Sequence, residues 1–318
     1  MRTFRGGVHP DGNKNATKMK PTADLTPPEE LVFPLSQHIG APAVPCVKTG
    51  DTVCLGQKIA EAGGFVSACI HSSVSGKVKG IEKRLHPNGT LTDCIIIEND
   101  GCDTPVPELS AAEREYEKLT TEETINIIKD AGIVGMGGAT FPTHVKLSPP
   151  KEAQIDYVIV NGAECEPYLT SDHREMLEHP DEILTGLCIM MRIFGLKDGY
   201  IGIESNKPDA IESMTKKAAE IKGADIHIVT LKTKYPQGAE KQLINAVAGR
   251  KVKPGQLPWQ VGCIVSNIDT VAAIARAVVK NQPLTSRIVT LGGDALKNPM
   301  NYRVRIGTPF SYVIEQSG

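Results

Sequence analysis

No C-x-x-C pair occurs among the eight cysteines, at positions 46, 54, 69, 94, 102, 165, 188 and 263. Zinc ribbons, ferredoxin clusters and thioredoxin-like dithiols therefore have no local signature. The wide scatter fits a reducing compartment better than a secreted disulfide framework. The histidines show no H-x-x-x-H spacing, so no metal site is expected from them. Long apolar runs are missing as well. The two best stretches, around Ile183 to Leu196 and Val271 to Val279, are broken by Arg192 and Arg276. Neither reaches the roughly 20 apolar residues of a membrane span. The opening Met1-Arg-Thr-Phe-Arg-Gly-Gly-Val-His has no apolar core of signal-peptide type. Membrane association is thus expected to run through a partner. Excess charge is also absent. With 35 basic and 37 acidic residues, the net charge of −2 leaves no footprint for sequence-independent nucleic-acid binding.

What is present is length and turns. A chain of 318 residues suggests two domains and part of a third, at roughly 150 residues each. Thirty glycines and 22 prolines exceed the background share of about 12% and imply many tight turns. Residues 1–29 read as an extended lead-in. Residues 30–103 carry short apolar runs broken by Gly-Asp, Gly-Gln, Gly-Gly and Ser-Gly, the texture of a small all-β unit. Residues 104–120 read as a linker. From 121 to 284 helix and strand alternate, with strands at Tyr157–Val160, Tyr200–Ile203, Ile226–Leu231 and Cys263–Val265. Buried Val/Ile runs separated by helices indicate an α/β domain with a mainly parallel sheet. Residues 285–318 return to β texture, with two strands and no convincing helix. Two strands do not stand alone in water. This stretch reads as the start of a further domain, either docked on the α/β domain or locally mobile.

Four loops carry candidate chemistry. Gly135-Met-Gly-Gly138 lacks both the P-loop lysine and the third glycine of a dinucleotide fingerprint. Three glycines in four residues still let backbone N–H groups approach an anion. A tight turn packing a helix on the sheet explains the glycines equally well. Asn161-Gly-Ala-Glu-Cys-Glu-Pro follows a strand, where open α/β folds bind ligands; its plain alternative is a solvated acidic turn. Cys165 has no evident cationic neighbour and reads as an ordinary small residue. Tyr235-Pro-Gln-Gly238-Ala-Glu-Lys places a glycine at a helix start. Ser266-Asn-Ile-Asp-Thr270 supplies donors that also cap helices well. Each loop alone is weak. Three of them sit at strand carboxyl ends, so they converge on one crevice.

The string Gly135-Met-Gly-Gly-Ala-Thr-Phe-Pro-Thr-His-Val-Lys146, with Asn161-Gly-Ala-Glu-Cys-Glu-Pro and Ser266-Asn-Ile-Asp-Thr, resembles the C subunit of the Rnf electron-transport complex. It is similar, more distantly, to the flavoprotein subunit of respiratory complex I. Phe4-Arg-Gly-Gly-Val-His-Pro and Pro42-Ala-Val-Pro-Cys-Val-Lys-Thr-Gly-Asp-Thr-Val carry the same resemblance, which runs the length of the chain in order. It implies a lipoyl-like β-sandwich domain, a complex-I-flavoprotein-like α/β domain binding FMN and NADH, and a truncated β-grasp (SLBB-like) start. Carried over by position, Gly135, Gly137 and Gly138 lie against FMN and Lys146 pairs with its phosphate. Asn161 and Glu164 face the isoalloxazine or ribityl region. Gly238, Asn267 and Thr270 complete the phosphate side. Phe141, Glu166 and Glu240 match positions that meet NADH. Two positions depart from the complex I pattern: Gly238-Ala-Glu-Lys stands for Gly-Glu-Glu-Thr, and Met136 stands for an arginine. The hairpin Val66-Ser-Ala-Cys-Ile-His-Ser-Ser-Val lacks the lysine of a lipoyl carrier, which implies a scaffold.

The function implied is electron transfer between NAD(H) and iron–sulfur clusters or ferredoxin. No side chain need be catalytic in the covalent or acid–base sense. The [4Fe-4S] clusters are expected only in a C-terminal extension. Partners are the other Rnf subunits, NADH and, indirectly, ferredoxin, at the cytoplasmic face of the cell membrane. Two alternatives stay open: an adaptor of another electron chain, of amino-acid reductase type, and a non-catalytic scaffold for a soluble ligand.

Overall fold

A computed structural model describes all 318 residues. The N-terminal part contributes eight strands: β1 (Ala23–Asp24), β2 (Glu30–Pro34), β3 (Val44–Pro45), β4 (Thr52–Val53), β5 (Lys58–Glu61), β6 (Ile70–His71), β7 (Gly76–Leu85) and β8 (Leu91–Asn99). Two sheets, ordered β2-β8-β7-β4 and β3-β5-β6, face each other. Between them Leu31, Phe33, Ile59, Val78, Ile95 and Ile97 are almost fully buried. The alternation Leu31/Phe33 and Ile95/Ile97 is the period-two signature of strands with one face on a core. The hairpin segment Ser67–Val74 is not an exposed tip, because every residue in it is buried. It is wedged against the next domain. A side chain at Gly132, which has φ +68°, would meet the Cys69 carbonyl at 2.3 Å.

The α/β domain runs through α1 (Thr121–Asp130), α2 (Thr143–Lys146), β9 (Tyr157–Gly162), α3 (Ser171–Glu178), α4 (Pro180–Ile193), β10 (Asp198–Glu204), α5 (Pro208–Ala218), β11 (Asp225–Leu231), α6 (Glu240–Ala248), β12 (Cys263–Asn267) and α7 (Ile268–Lys280). Its sheet order is β11-β10-β9-β12, all parallel. Val158 and Val160 pack with α4 and α7 on one face, while Ile159 packs with α6 on the other. Burial on both faces is why this strand reads as an unbroken apolar run. A capping box, Thr120 with Glu123, starts α1. On α7, Ile268, Val271, Ile274 and Val278 are fully buried, each contributing roughly 1.5–3 kcal/mol.

The last element group is β13 (Ser286–Leu291), β14 (Met300–Arg305) and α8 (Phe310–Gln316). Two sequence expectations change here. Residues 310–316 are helical, and Val313 is buried against Leu291, Tyr302 and Val304. At seven residues the helix is too short to show periodicity in sequence, and Phe310 itself is 67% exposed. The lead-in is not loose either. Within it, β1 adds to β14 as a parallel third strand. Further upstream, Arg2 bridges Leu231 and Val8 bridges Tyr235. The first twenty residues thus form a strap across the α/β domain.

Candidate functional site

The chain builds β9, β10 and β11 outward in one direction, then returns to the other side of β9 with β12. This is the topological switch point at which open α/β sheets bind ligands. Asn161 on β9 and Asn267 on β12 are register partners there. Asn161 Nδ2 donates to the Gly238 carbonyl at 2.7 Å, and its Oδ1 accepts from Ala163 N at 3.2 Å. Asn267 Oδ1 caps α7 by accepting from Asp269 N and Thr270 N, while its Nδ2 donates to Asp172 Oδ2 at 2.7 Å. Four predicted residues, Asn161, Gly238, Asn267 and Thr270, are therefore tied into the floor of one crevice.

The glycine loop closes over this floor. Met136 N donates to the Thr270 hydroxyl at 2.9 Å, and Arg287 from β13 donates to the Met136 carbonyl at 2.6 Å. Gly135 N donates to the Phe141 carbonyl at 2.9 Å. Gly137 is a packing glycine, since a Cβ there would lie 2.8 Å from Asn267 Cβ. Gly138 differs. It is exposed, its φ lies outside the left-handed region, and a Cβ would meet nothing within 4 Å. Neither backbone nor packing demands glycine at 138. A bare backbone facing open space is what close approach of a ligand requires.

Lys146 Nζ lies 3.1 Å from Glu240 Oε1 and donates to the Val265 carbonyl at 2.8 Å. The residue expected at a phosphate and one expected at NADH thus form a single ion pair. Phe141 is half-buried beside the loop. Glu166 stands apart from that pair and is exposed, with its carboxylate near Tyr235, whose phenol it pushes up.

The loop after β9 holds buried charge. Glu164 takes φ +47°, uncommon for a non-glycine residue. Its Oε1 accepts from Asp172 N at 2.7 Å, and its Oε2 is buried without a hydrogen-bond partner. Burial raises the Glu164 pKa, opposed by Lys207 and Lys14. Burial pushes Asp172 well up, reinforced by Glu164 and Asp269. Burial, then Glu175, carry Asp269 up to about 6 against the pull of Arg276. Lys207 donates to the Ala163 carbonyl at 2.7 Å and to Asn206 Oδ1 at 3.1 Å, 4.0 Å from Glu204. Cys165 Sγ accepts from Gly238 N at 3.3 Å, and burial raises its thiol, so it stays protonated.

Sequence reasoning passed over Lys14, Asp172, Lys207 and Arg287. Asp172 carried one signal, an acid in the first turn of a helix. The others reach the crevice from distant segments and carried none. Two cavities adjoin the site without being the crevice itself. One of about 400 Å3 is lined by Met136, Asp269, Arg276, Arg305, Asp103 and Pro105, among others, but by neither Gly137 nor Gly138. It lies behind the loop, at the junction of the three domains. The other, about 260 Å3, lies between the strap and the ends of β10 and β11. The crevice lies where strand ends and loop converge and their polar groups meet.

Three family models match successive stretches of the chain. The family model of the Nuo51 FMN-binding domain matches residues 128–276. The RnfC barrel sandwich hybrid domain matches residues 2–102, and the SLBB domain matches 288–318. The C subunit of the proton-translocating ferredoxin:NAD(+) oxidoreductase complex of Clostridium ljungdahlii is 49% identical over all of this chain and 69% of its own length. The Na(+)-translocating counterpart of Acetobacterium woodii is 46% identical, over 99% of this chain and 71% of its own. The chain belongs to the family of Rnf C subunits. It is accordingly part of an oxidoreductase complex, with an FMN-binding-type domain between a barrel-sandwich and an SLBB domain. In the C subunit of the ion-translocating oxidoreductase complex of Rhodobacter capsulatus, 41% identical, the match spans 61% of that protein. An NAD+-reducing [NiFe]-hydrogenase structure shares the fold, with TM-score 0.55 at 21% identity over 68% of this chain and 41% of its own. No helix of this Rnf family member is long and apolar enough to cross a membrane.

Proposed function

We propose that the crevice at the switch point holds FMN and that the domain moves electrons between NAD(H) and iron–sulfur centres. The observation that carries this reading is Gly138, an exposed glycine that neither backbone nor packing demands, in the loop tied by Met136 to the switch-point floor. The buried, unpartnered Oε2 of Glu164 adds a polar atom awaiting a partner. Gly135, Gly137 and Gly138 form the cradle. Lys146, with Gly238, Asn267 and Thr270, takes the phosphate side. Asn161 and Glu164 take the ring or ribityl side. Phe141, Glu166 and Glu240 take the nicotinamide nucleotide.

Glu240 is compatible with a nearby phosphate because Lys146 neutralises it at 3.1 Å. When bound, FMN supplies hydride acceptance and single-electron release, and the protein supplies position and local charge. The thiol of Cys165 takes no part in this scheme. The iron–sulfur clusters, the remaining Rnf subunits and ferredoxin complete the chain outside these residues. The protein attaches peripherally at the cytoplasmic face of the membrane.

Anaerobic NADH added to FMN-reconstituted protein tests the donor. Bleaching of the flavin absorbance is the expected result. Flavin that binds and stays oxidised under excess NADH would show that the nicotinamide assignment is wrong.

A further inference from the structure

The strap residue Lys14 reaches the loop after β9 from outside every motif described above. Its side chain is only 10% exposed, and Nζ lies 3.9 Å from Glu164 Oε2. Nζ also donates to the carbonyls of Glu166, at 2.8 Å, and of Leu169. The same turn of strap makes two more bonds to this loop. Tyr168 N donates to the Gly12 carbonyl at 2.8 Å, and the buried hydroxyls of Thr17 and Thr170 lie 2.7 Å apart. Loop residues 163–170 need such holding. Glu164 and Tyr168 both sit at positive φ, +47° and +67°, conformations that non-glycine residues keep only when their surroundings fix them.

We infer that Lys14 is a positioning residue of the flavin site, which clamps loop 163–170 and holds the Glu164 carboxylate in its charged form. This rests on the FMN reading above and extends the site to a segment that the FMN-domain match, residues 128–276, leaves out. The chemistry suits the task. An ammonium has donors and no acceptor, so Lys14 donates to two loop carbonyls while its charge, 3.9 Å from Glu164 Oε2, acts on the carboxylate as an ion pair without a hydrogen bond. The charged side chains around Glu164 are Lys14, Lys207, Asp172 and Glu204. Two cations thus oppose two further acids and the burial that favours the neutral acid. Removing Lys14 leaves Lys207 alone against both. Glu164 then takes up a proton at higher pH, and its bond from Asp172 N weakens with the lost charge.

The test is FMN affinity of Lys14→Met, Lys14→Arg and Lys20→Met, with amide exchange of residues 163–170 in the flavin-free proteins. Lys20 holds the strap to the Pro299 carbonyl at 2.8 Å and does not touch the loop. Lys14→Met should bind FMN about tenfold more weakly and exchange loop amides faster. The ratio of its Kd to wild type should grow from pH 8 to pH 6. Lys14→Arg should recover most of the affinity, and Lys20→Met should match wild type. Equal affinity of Lys14→Met and wild type at both pH values would overturn the inference. So would an equal loss in Lys20→Met, which would make the strap a general brace. Failure of wild type itself to bind FMN would overturn the proposed function instead, while faster exchange confined to Lys14→Met would still establish the clamp.

Discussion

The barrel-sandwich domain and the carboxyl edge of the α/β sheet bury their residues by opposite rules. The sandwich closes on Leu31, Phe33, Ile59, Ile95 and Ile97, and its buried polar residues are mostly serines. The α/β domain is equally apolar within, yet its strand ends bury Glu164, Glu204, Lys207 and Asp269. Burying ions costs stability unless each is paired and hydrogen-bonded. A sheet edge that gives up stability to bury several ionisable groups is where the proposed ligand site is expected, whereas a domain that buries mainly hydroxyls is organised around packing. The missing lipoyl lysine and the wedged hairpin segment Ser67–Val74 agree with the second description.

The largest effect expected from this contrast is at Lys207, which is 1% exposed. Lys207→Met should cost about 3–5 kcal/mol in denaturant unfolding, because it leaves Glu204 buried without its cation and the Ala163 carbonyl without its donor. Adding Glu204→Gln should return part of that loss. A cost below about 1 kcal/mol would mean that water reaches the edge and that the contrast is weaker than drawn. In the sandwich, Ile59→Ala should cost about 2–5 kcal/mol as an ordinary cavity and leave FMN affinity unchanged. A parallel loss of affinity would show that the two domains do not divide their roles.

Lys146→Ala should weaken FMN binding by about 1.5–3 kcal/mol, tenfold or more, as expected for a charge-assisted bond. The bared Glu240 carboxylate would add repulsion toward a phosphate. Unfolding of the FMN-free protein should change little, since Lys146 is only half-buried. Unchanged flavin affinity would remove Lys146 from the site.

Asp269 gives a pH-dependent prediction. Its carboxyl is raised to about 6 in the folded protein, from an ordinary value of 3.8. The folded state therefore binds the proton more tightly than the unfolded state. That preference favours folding at acid pH and fades as pH rises toward 6, beyond which the buried charge is a standing cost. Relative to wild type, Asp269→Asn should gain stability as pH rises from 4 to 7, by on the order of 1–3 kcal/mol. Parallel stability curves for the two proteins would place the titration elsewhere.

Much of the fold was legible because its signals are local. The strands Tyr157–Gly162 and Cys263–Asn267 announce themselves by Val/Ile runs, and Asn267 by its place ahead of an apolar helix. The crevice was legible as converging strand-end loops. What escaped reading depends on long-range contacts. Nothing in residues 10–20 signals that Lys14 lies against Glu164, in a loop far along the chain. Helix α8 escaped because seven residues show too few turns for a period to emerge. Asp172 looks like an ordinary helix-start acid and Lys207 like a surface lysine, and only the folded chain brings both beside Glu164 and buries Lys207.

The central claim is that the switch-point crevice is a flavin site, and Gly138 offers the most direct measurement of it. FMN should be titrated into wild-type protein and Gly138→Val, with flavin fluorescence as the signal and thermal unfolding of both flavin-free proteins as the control. Because a Cβ at 138 would meet no protein atom within 4 Å and the backbone there is not left-handed, the variant should unfold like wild type. Wild type should quench FMN at one equivalent, and the variant should bind it at least about tenfold more weakly, because its side chain occupies the ligand's place. Absence of quenching by wild type, or equal affinity in the two proteins, would contradict the account.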